Sequence, residues 1–188
     1  TVTAVAIERF RSMYPLPFVG MEPALKPAVS LTKTGKIGIL ATQNTFNGNL
    51  FQQTRDLHAN DMELFIQPGF GLVELVENGE HNSDKAVNLL EGYLTPMIKN
   101  GADTLVLGCT HYPFFMESIL KICEGRLNVI DPAAAVASQT KRLLEKNNMR
   151  VMSNSSGELV FYTTGKQHTA EKLLSFNNLD YTISCLRF

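Results

Sequence analysis

One short segment of the sequence combines a thiol and an imidazole at the end of an apolar run. The run Leu105–Gly108 is followed at once by Cys109, Thr110 and His111. A cysteine thiolate can act as a base or a nucleophile, and an imidazole two residues away can give or take a proton or lower the thiol pKa. A helix that begins near Pro113 would direct its N–H groups toward the same crevice, which favours a thiolate together with a carboxylate ligand.

The cysteine pattern also admits less specific interpretations. Cysteine is among the most buried residue types and often packs as a small apolar side chain, an alternative that fits Cys123 and Cys185 well and that stays open for Cys109. A metal site on Cys109 and His111 would need further ligands, and the other histidines show no ligand spacing to this segment: His58, His81 and His168. We therefore predict no metal.

Two further segments carry groups that could assist. Glu74 and Glu77 stand beside a turn in apolar surroundings, where a carboxylate could orient an imidazole, although the pair could equally be solvated. Thr42 belongs to the stretch Ala41–Thr45, whose hydroxyl and amide groups suit the carboxylate of an amino acid. The same residue types are ordinary loop and cap formers.

Composition narrows the class of protein. The chain has 188 residues, of which 44% are hydrophobic, and 17 Lys and Arg against 18 Asp and Glu leave a net charge of −1. We therefore predict no nucleic-acid or acidic-membrane partner. The sequence shows no apolar run of bilayer length and no signal-peptide pattern, which predicts a cytoplasmic location. Three widely spaced cysteines argue against a disulfide framework.

The elements that would position these groups alternate between strands and helices, which predicts an α/β fold. The clearest helix starts at the N-cap Ser83, stops at Asn100-Gly101 and carries Pro96, which should kink its last turns. Prolines between positions 15 and 27 predict a loop region, and Asp131-Pro132 predicts a helix start. Strands are predicted at 36–42, 63–67, 103–108, 127–130, 159–162 and 181–186. Further helices are predicted at 5–10, 51–59 and 169–176, together with one that starts at 113 and one that ends at 144.

Taken together, these segments resemble the glutamate racemase family of cofactor-independent amino-acid racemases. The specific motif is Leu107–Pro113, and His111 after Cys109-Thr110 resembles the glutamate branch, because aspartate racemases usually carry Glu there. The supporting motifs follow in the family's order: Pro17–Ala24, Ile37–Thr42, Leu75–Gly79 and Val129–Pro132.

The resemblance implies two doubly wound α/β lobes with mainly parallel sheets and an active site in the cleft between them. Residues 27–132 would form one lobe that carries Cys109, and residues 1–26 with 133–188 the other. The family's first catalytic cysteine lies in an Ala-Cys-Asn-Thr motif, and Thr1 would be its threonine. We therefore expect the chain to be a fragment that lacks this cysteine, is inactive alone and exposes strand edges that favour a homodimer.

The family's chemistry supplies the expected roles. Two thiols on opposite faces of the α-carbon interconvert L- and D-glutamate, which feeds peptidoglycan synthesis, and no cofactor is implied. By resemblance, Cys109 deprotonates L-glutamate, His111 handles the proton and Glu77 supports His111, while Thr1, Thr42, Thr110 and the His111 region hold the substrate. A catalytically silent glutamate-binding remnant and a related aspartate-type racemase are the alternatives.

Overall fold

A computed structural model describes residues 2–151, 157–175 and 180–186. Six strands, nine α-helices and a 3₁₀ turn, Tyr112–Phe115, occur within these ranges. The strands are β1 Lys36–Ala41, β2 Glu63–Pro68, β3 Thr104–Gly108, β4 Asn128–Ile130, β5 Val160–Thr163 and β6 Thr182–Cys185. The helices are α1 Val2–Met13, α2 Leu25–Leu31, α3 Gln43–Asn47, α4 Asn49–His58, α5 Leu72–Glu77, α6 Asp84–Lys99, α7 Met116–Cys123, α8 Ala133–Lys146 and α9 Gln167–Leu174.

The larger sheet has four parallel strands in the order β2-β1-β3-β4. Its two central strands, β1 and β3, are almost completely buried, because helices cover both faces of the sheet at these strands. The α/β class and the parallel sheet predicted from the sequence are confirmed.

Alternate residues of the central strands supply two separate cores. Leu40 and Leu105 contribute to the core that contains α5, α6 and α7, whereas Ile39 and Val106 contribute to the core beneath α2 and α4. Successive side chains of a strand point to opposite faces, so one apolar strand stabilises both layers.

Helix α6 forms as its sequence predicts. The Ser83 hydroxyl accepts a hydrogen bond from the Ala86 N–H at 3.2 Å, and Gly101 adopts a φ of +85° just after the helix. Pro96 lies inside the helix, which continues to Lys99. At α8, the Asp131 carboxylate accepts from the Ala133 N–H at 2.8 Å, although the N-cap position is Pro132 rather than Asp131.

Several short helices were missed by the sequence prediction. The loop predicted between Pro15 and Pro27 is confirmed up to Ala24, but α2 begins at Leu25 and includes Pro27, because proline is tolerated in the first turn of a helix. Helices α3 and α5 have five and six residues, too few for a periodic pattern to be recognised.

A second, two-stranded parallel sheet contains β5 and β6. Phe161 contacts Tyr181 edge to face, with ring centroids 5.6 Å apart. The predicted end of the last helix at Phe176 lies outside the described residues. Within the described ranges, none of the helices has the length and apolar character required to cross a membrane.

Candidate active site

The candidate site lies where β1 and β3 end side by side. Ala41 pairs in register with Gly108, so Thr42 and Cys109 are the next residues of two neighbouring strands. After β1 the chain continues to β2 on one side of the sheet, and after β3 it continues to β4 on the other. Ligands of open α/β sheets bind at such a switch point, beyond the carboxyl ends of the strands.

A chain of contacts links a thiol, an imidazole and a carboxylate at this point. The Sγ atom of Cys109 lies 3.8 Å from Nδ1 of His111, and Nε2 of His111 lies 2.6 Å from Oε1 of Glu77. Cys109 is 6% exposed, whereas 60% of the Glu77 side chain is exposed. The contacts therefore run from a buried sulfur to a solvated carboxylate.

These neighbours hold His111 in its charged form. The hydrogen bond with Cys109 contributes most to the raised pKa of His111; burial opposes it, and the bond and charge of Glu77 add to it. The resulting pKa is about 9, compared with an ordinary value of 6.5. The contact with Glu77 is shorter, but Glu77 is solvated, which weakens its electrostatic effect. At neutral pH an imidazolium, able to donate from both nitrogens, lies beside the sulfur.

Glu77 reaches His111 because α5 ends at this residue. Gly71, with a φ of +80°, is the N-cap of the helix. The helix stops at a turn in which Gly79 has a φ of +71° and donates its N–H to the Val76 carbonyl at 2.8 Å. Both angles favour glycine. Glu74, one turn earlier, makes no hydrogen bond with His111 among the described contacts.

The expected helix start at Pro113 is wrong in detail. Residues 112–115 form a 3₁₀ turn, and the α-helix starts only at Met116. The Tyr112 N–H donates to the Cys109 carbonyl and the Phe114 N–H to the His111 carbonyl, both at 3.2 Å, so the tighter turn begins at the cysteine itself.

The predicted substrate-binding threonines have different positions. Thr42 is the N-cap of α3, and its hydroxyl lies 2.8 Å from that of Thr45 and accepts from the Thr45 N–H at 3.4 Å. Thr110 is exposed beside Cys109, and Thr1 lies outside the described residues. The cap interpretation of Thr42 is correct, and its position at the strand end also places it at the site.

Two residues of the Leu107–Pro113 motif, Gly108 and Tyr112, had no role predicted from the sequence and pack beneath the site. Tyr112 is fully buried, and its hydroxyl donates to the Gly69 carbonyl at 3.2 Å, directly after β2. Gly108 is tightly enclosed: a Cβ there would lie 2.6 Å from Cβ of Ala41 and 3.0 Å from Cγ of Pro23. Pro23 lies in the Pro17–Ala24 motif, and this position was the sequence signal for the contact.

The other cysteines occupy different environments. Cys123 is fully buried in α7, where burial raises its pKa, and Sγ of Cys185 contacts the Gly165 carbonyl at 3.7 Å in the smaller sheet. Among the residues whose positions are described, no group of three or more His, Cys, Asp or Glu side chains could hold a metal ion.

The fold and the site together define a class of protein, namely α/β proteins whose site is suited to proton transfer. A buried thiol, a charged imidazole and a carboxylate lie in series at the switch point of a parallel sheet, an arrangement suited to proton transfer on a small ligand.

The chain belongs to the Asp/Glu/Hydantoin racemase family, whose model matches residues 1–140. It is 40% identical over 175 residues to a glutamate racemase of Pseudomonas putida, covering 93% of this chain and 66% of that protein. It is 41% identical over 165 residues to the glutamate racemase of Herpetosiphon aurantiacus, covering 88% and 65%. The chain thus spans slightly less than two thirds of the length of these curated relatives.

Solved structures agree with this membership. Escherichia coli glutamate racemase, in complex with L-glutamate and an activator, UDP-MurNAc-Ala, matches with a TM-score of 0.79 and 30% identity, over 97% of this chain and 69% of that one. A Bacillus anthracis glutamate racemase isoform matches with a TM-score of 0.82 over 99% and 70%, and its 24% identity supports the fold alone.

Proposed function

We propose that this protein acts in cofactor-independent racemisation of glutamate, with Cys109 as one of the two proton-transferring thiols. The observation that carries the proposal is the series of contacts from Cys109 through His111 to Glu77 at the ends of β1 and β3. The curated relatives are named glutamate racemases, and the E. coli structure contains L-glutamate, which supports the substrate class.

In the proposed reaction, the Cys109 thiolate removes the α-proton of L-glutamate, and the electron pair of the broken C–H bond moves into the adjacent carboxylate. Cys109 becomes a thiol. A second thiol then gives a proton to the opposite face of the α-carbon and becomes a thiolate, so D-glutamate forms without net change in protons. The reverse sequence regenerates L-glutamate.

His111 and Glu77 would support Cys109. The imidazolium is attracted to the negatively charged sulfur before proton removal, and it can exchange a proton with the thiol afterwards. Glu77 holds the second ring nitrogen and so keeps the ring oriented. We propose that Thr42, Thr110 and Thr1 bind the substrate with the His111 region, and that His111 favours glutamate over aspartate.

The wider assignments belong to the same proposal. D-glutamate formed here would supply peptidoglycan synthesis in the cytoplasm, and the assembly would be a homodimer, which light scattering would test. Residues 27–132 would form the lobe that carries Cys109, with residues 1–26 and 133–188 in the other lobe and the substrate in the cleft. Strands β1–β4 all lie within the first of these ranges.

The decisive experiment is α-proton exchange in deuterium oxide, followed by NMR for L- and D-glutamate separately, together with optical rotation. The protein and its Cys109→Ser variant are compared. A parallel sample carries the amino-terminal segment of the Pseudomonas putida relative before Thr1, because the resemblance places the other thiol there. The Cys123→Ser variant serves as a matched control, since that thiol is buried in the core.

The outcomes separate the candidate functions. Exchange or racemisation that is lost in Cys109→Ser and kept in Cys123→Ser supports the proposal. Glutamate binding without exchange in either form of the protein would favour the silent binder. Faster exchange of aspartate than of glutamate would favour the aspartate-type enzyme.

A further inference from the structure

A lysine from α9 contacts the turn that follows the proposed imidazole partner. Nζ of Lys172 donates to the Gly79 carbonyl at 2.6 Å, across 93 positions of the sequence. Gly79 lies two residues after Glu77, the last residue of α5. The contact therefore joins a distant helix to the short segment that ends the series of contacts from Cys109.

The backbone at Gly79 is shaped for this contact. Gly79 has a φ of +71°, and a Cβ there would lie 3.0 Å from Nζ and 3.1 Å from Cδ of Lys172. The lysine stem thus lies directly over the glycine. Without a glycine, both the turn and the path of the lysine side chain would have to change.

Packing alone does not fix the turn on this side. A cavity of about 470 Å³ separates it from α9; Glu77, Asn78 and Phe114 line one wall, and Thr169 and Leu173 are among the residues of the other. Leu173 does pack against the larger core, which holds α9 close to it. Lys172, next to Leu173 in the sequence, extends from α9 to the backbone of the turn at Gly79.

We propose that Lys172 is a positioning residue that holds the Glu77 carboxylate against His111 through its hydrogen bond to the Gly79 carbonyl. This inference deepens the proposed function, because it concerns the same Cys109–His111 pair. Lys172 acts through Glu77 and does not itself contact the thiol or the imidazole among the described contacts.

Other charged and titratable groups also lie near the pair. The pKa of His111 is raised by Cys109 and Glu77. The pKa of the adjacent Tyr112 is raised first by burial and then by Cys109, by Tyr93 of α6 and by Glu74 of α5. The positive charge of Lys172 acts on a second histidine, His81, whose pKa is lowered first by burial and then by this lysine.

This arrangement permits a test in which two histidines respond in opposite directions. In Lys172→Met, which keeps the apolar stem, we expect the pKa of His81 to rise because a positive charge is lost. The pKa of His111 is expected to fall by about 0.5 to 1, a fraction of the 1 to 3 that a nearby opposite charge contributes. Loss of the charge without repositioning would instead raise the pKa of His81 and would not lower that of His111.

Both values are measured by NMR titration of the imidazole C–H signals, with His111→Asn used for assignment. Lys172→Arg should restore the pKa of His111, since arginine keeps a donor at this position. Lys141→Met on exposed α8 is the matched control and should change neither histidine. In a Glu77→Gln background, Lys172→Met should leave the pKa of His111 unchanged.

The inference is overturned if the pKa of His111 rises or stays constant in Lys172→Met. It is also overturned if Lys172→Met lowers this pKa equally in the Glu77→Gln background. The titrations need no turnover, so they remain informative if glutamate exchange is not found. In that case the positioning role would stand for the thiol–imidazole pair while the proposed reaction would fail. If exchange is found, it should be slower in Lys172→Met and recover in Lys172→Arg.

Discussion

Replacement of Asp103 by Asn should destabilise the protein in a pH-dependent way. Asp103 stands directly before β3, the strand that ends at Cys109, and its carboxylate accepts four hydrogen bonds. The hydroxyls of Thr32 and Thr104 donate at 2.5 and 3.0 Å, and the N–H groups of Lys33 and Thr34 donate at 2.6 and 2.9 Å. These bonds connect the loop before β1 to the start of β3.

The magnitude follows from the pKa of the carboxyl group. Burial raises the pKa of Asp103, but the four hydrogen bonds together outweigh it, and the pKa falls from 3.8 to about 2. A difference of about 1.8 at about 1.36 kcal/mol per unit gives an upper value of about 2.4 kcal/mol. Because Asp103 is partly exposed and solvent screens its charge, we expect about 1 to 2 kcal/mol.

The direction of the pH dependence follows from the difference between the folded and unfolded pKa values of Asp103. A carboxyl group with a lowered pKa stabilises the folded state fully above its unfolded pKa of 3.8, and this contribution is lost as pH falls through about 2. About half of it should be gone at about pH 3. Urea denaturation of the protein and of Asp103→Asn at pH 7 and at pH 3 measures the difference at both values.

Exposed Asp61→Asn provides the control and should lie within about 0.5 kcal/mol of the parent protein. Equal destabilisation by Asp103→Asn at pH 7 and pH 3 would refute the role of the charged carboxylate. No destabilisation at pH 7 would show that the four hydrogen bonds contribute nothing net to folding.

Three other outcomes can be checked on the same protein. His111 should titrate near pH 9, and Cys109→Ala should lower its pKa more than any other single replacement around the ring, because the thiol is the largest cause of the shift; NMR titration measures both. Gly108→Val should cost about 1 to 3 kcal/mol in urea denaturation, since its Cβ would lie 2.6 Å from that of Ala41. Tyr112→Phe should cost about 1 kcal/mol by leaving a buried carbonyl without its donor, and a stability equal to that of the parent would contradict the hydrogen bond.

Local patterns predicted much of the fold because their information lies within short windows. The Ser83 cap, the periodic apolar face of α6 and the Asn100-Gly101 stop all lie within twenty residues, and the buried strands are continuous apolar runs. The helices that were missed are too short for such a pattern, and the apolar spacing that predicted a helix near Pro113 does not distinguish a 3₁₀ turn from the first turn of an α-helix.

The sequence by itself determined the thiol and imidazole of the candidate site, because Cys109 and His111 are two residues apart after a recognisable strand. Residue type and spacing do not separate Glu77 from Glu74, and only the family resemblance singled out Glu77. The tertiary structure gives the physical reason, because α5 ends at Glu77 and brings this carboxylate to the imidazole, 34 positions away in the sequence. The contact of Lys172 with the Gly79 carbonyl was decided by the tertiary structure alone. Contacts of this kind depend on strand register and helix packing, which sum many weak interactions across the whole chain and leave no local signature.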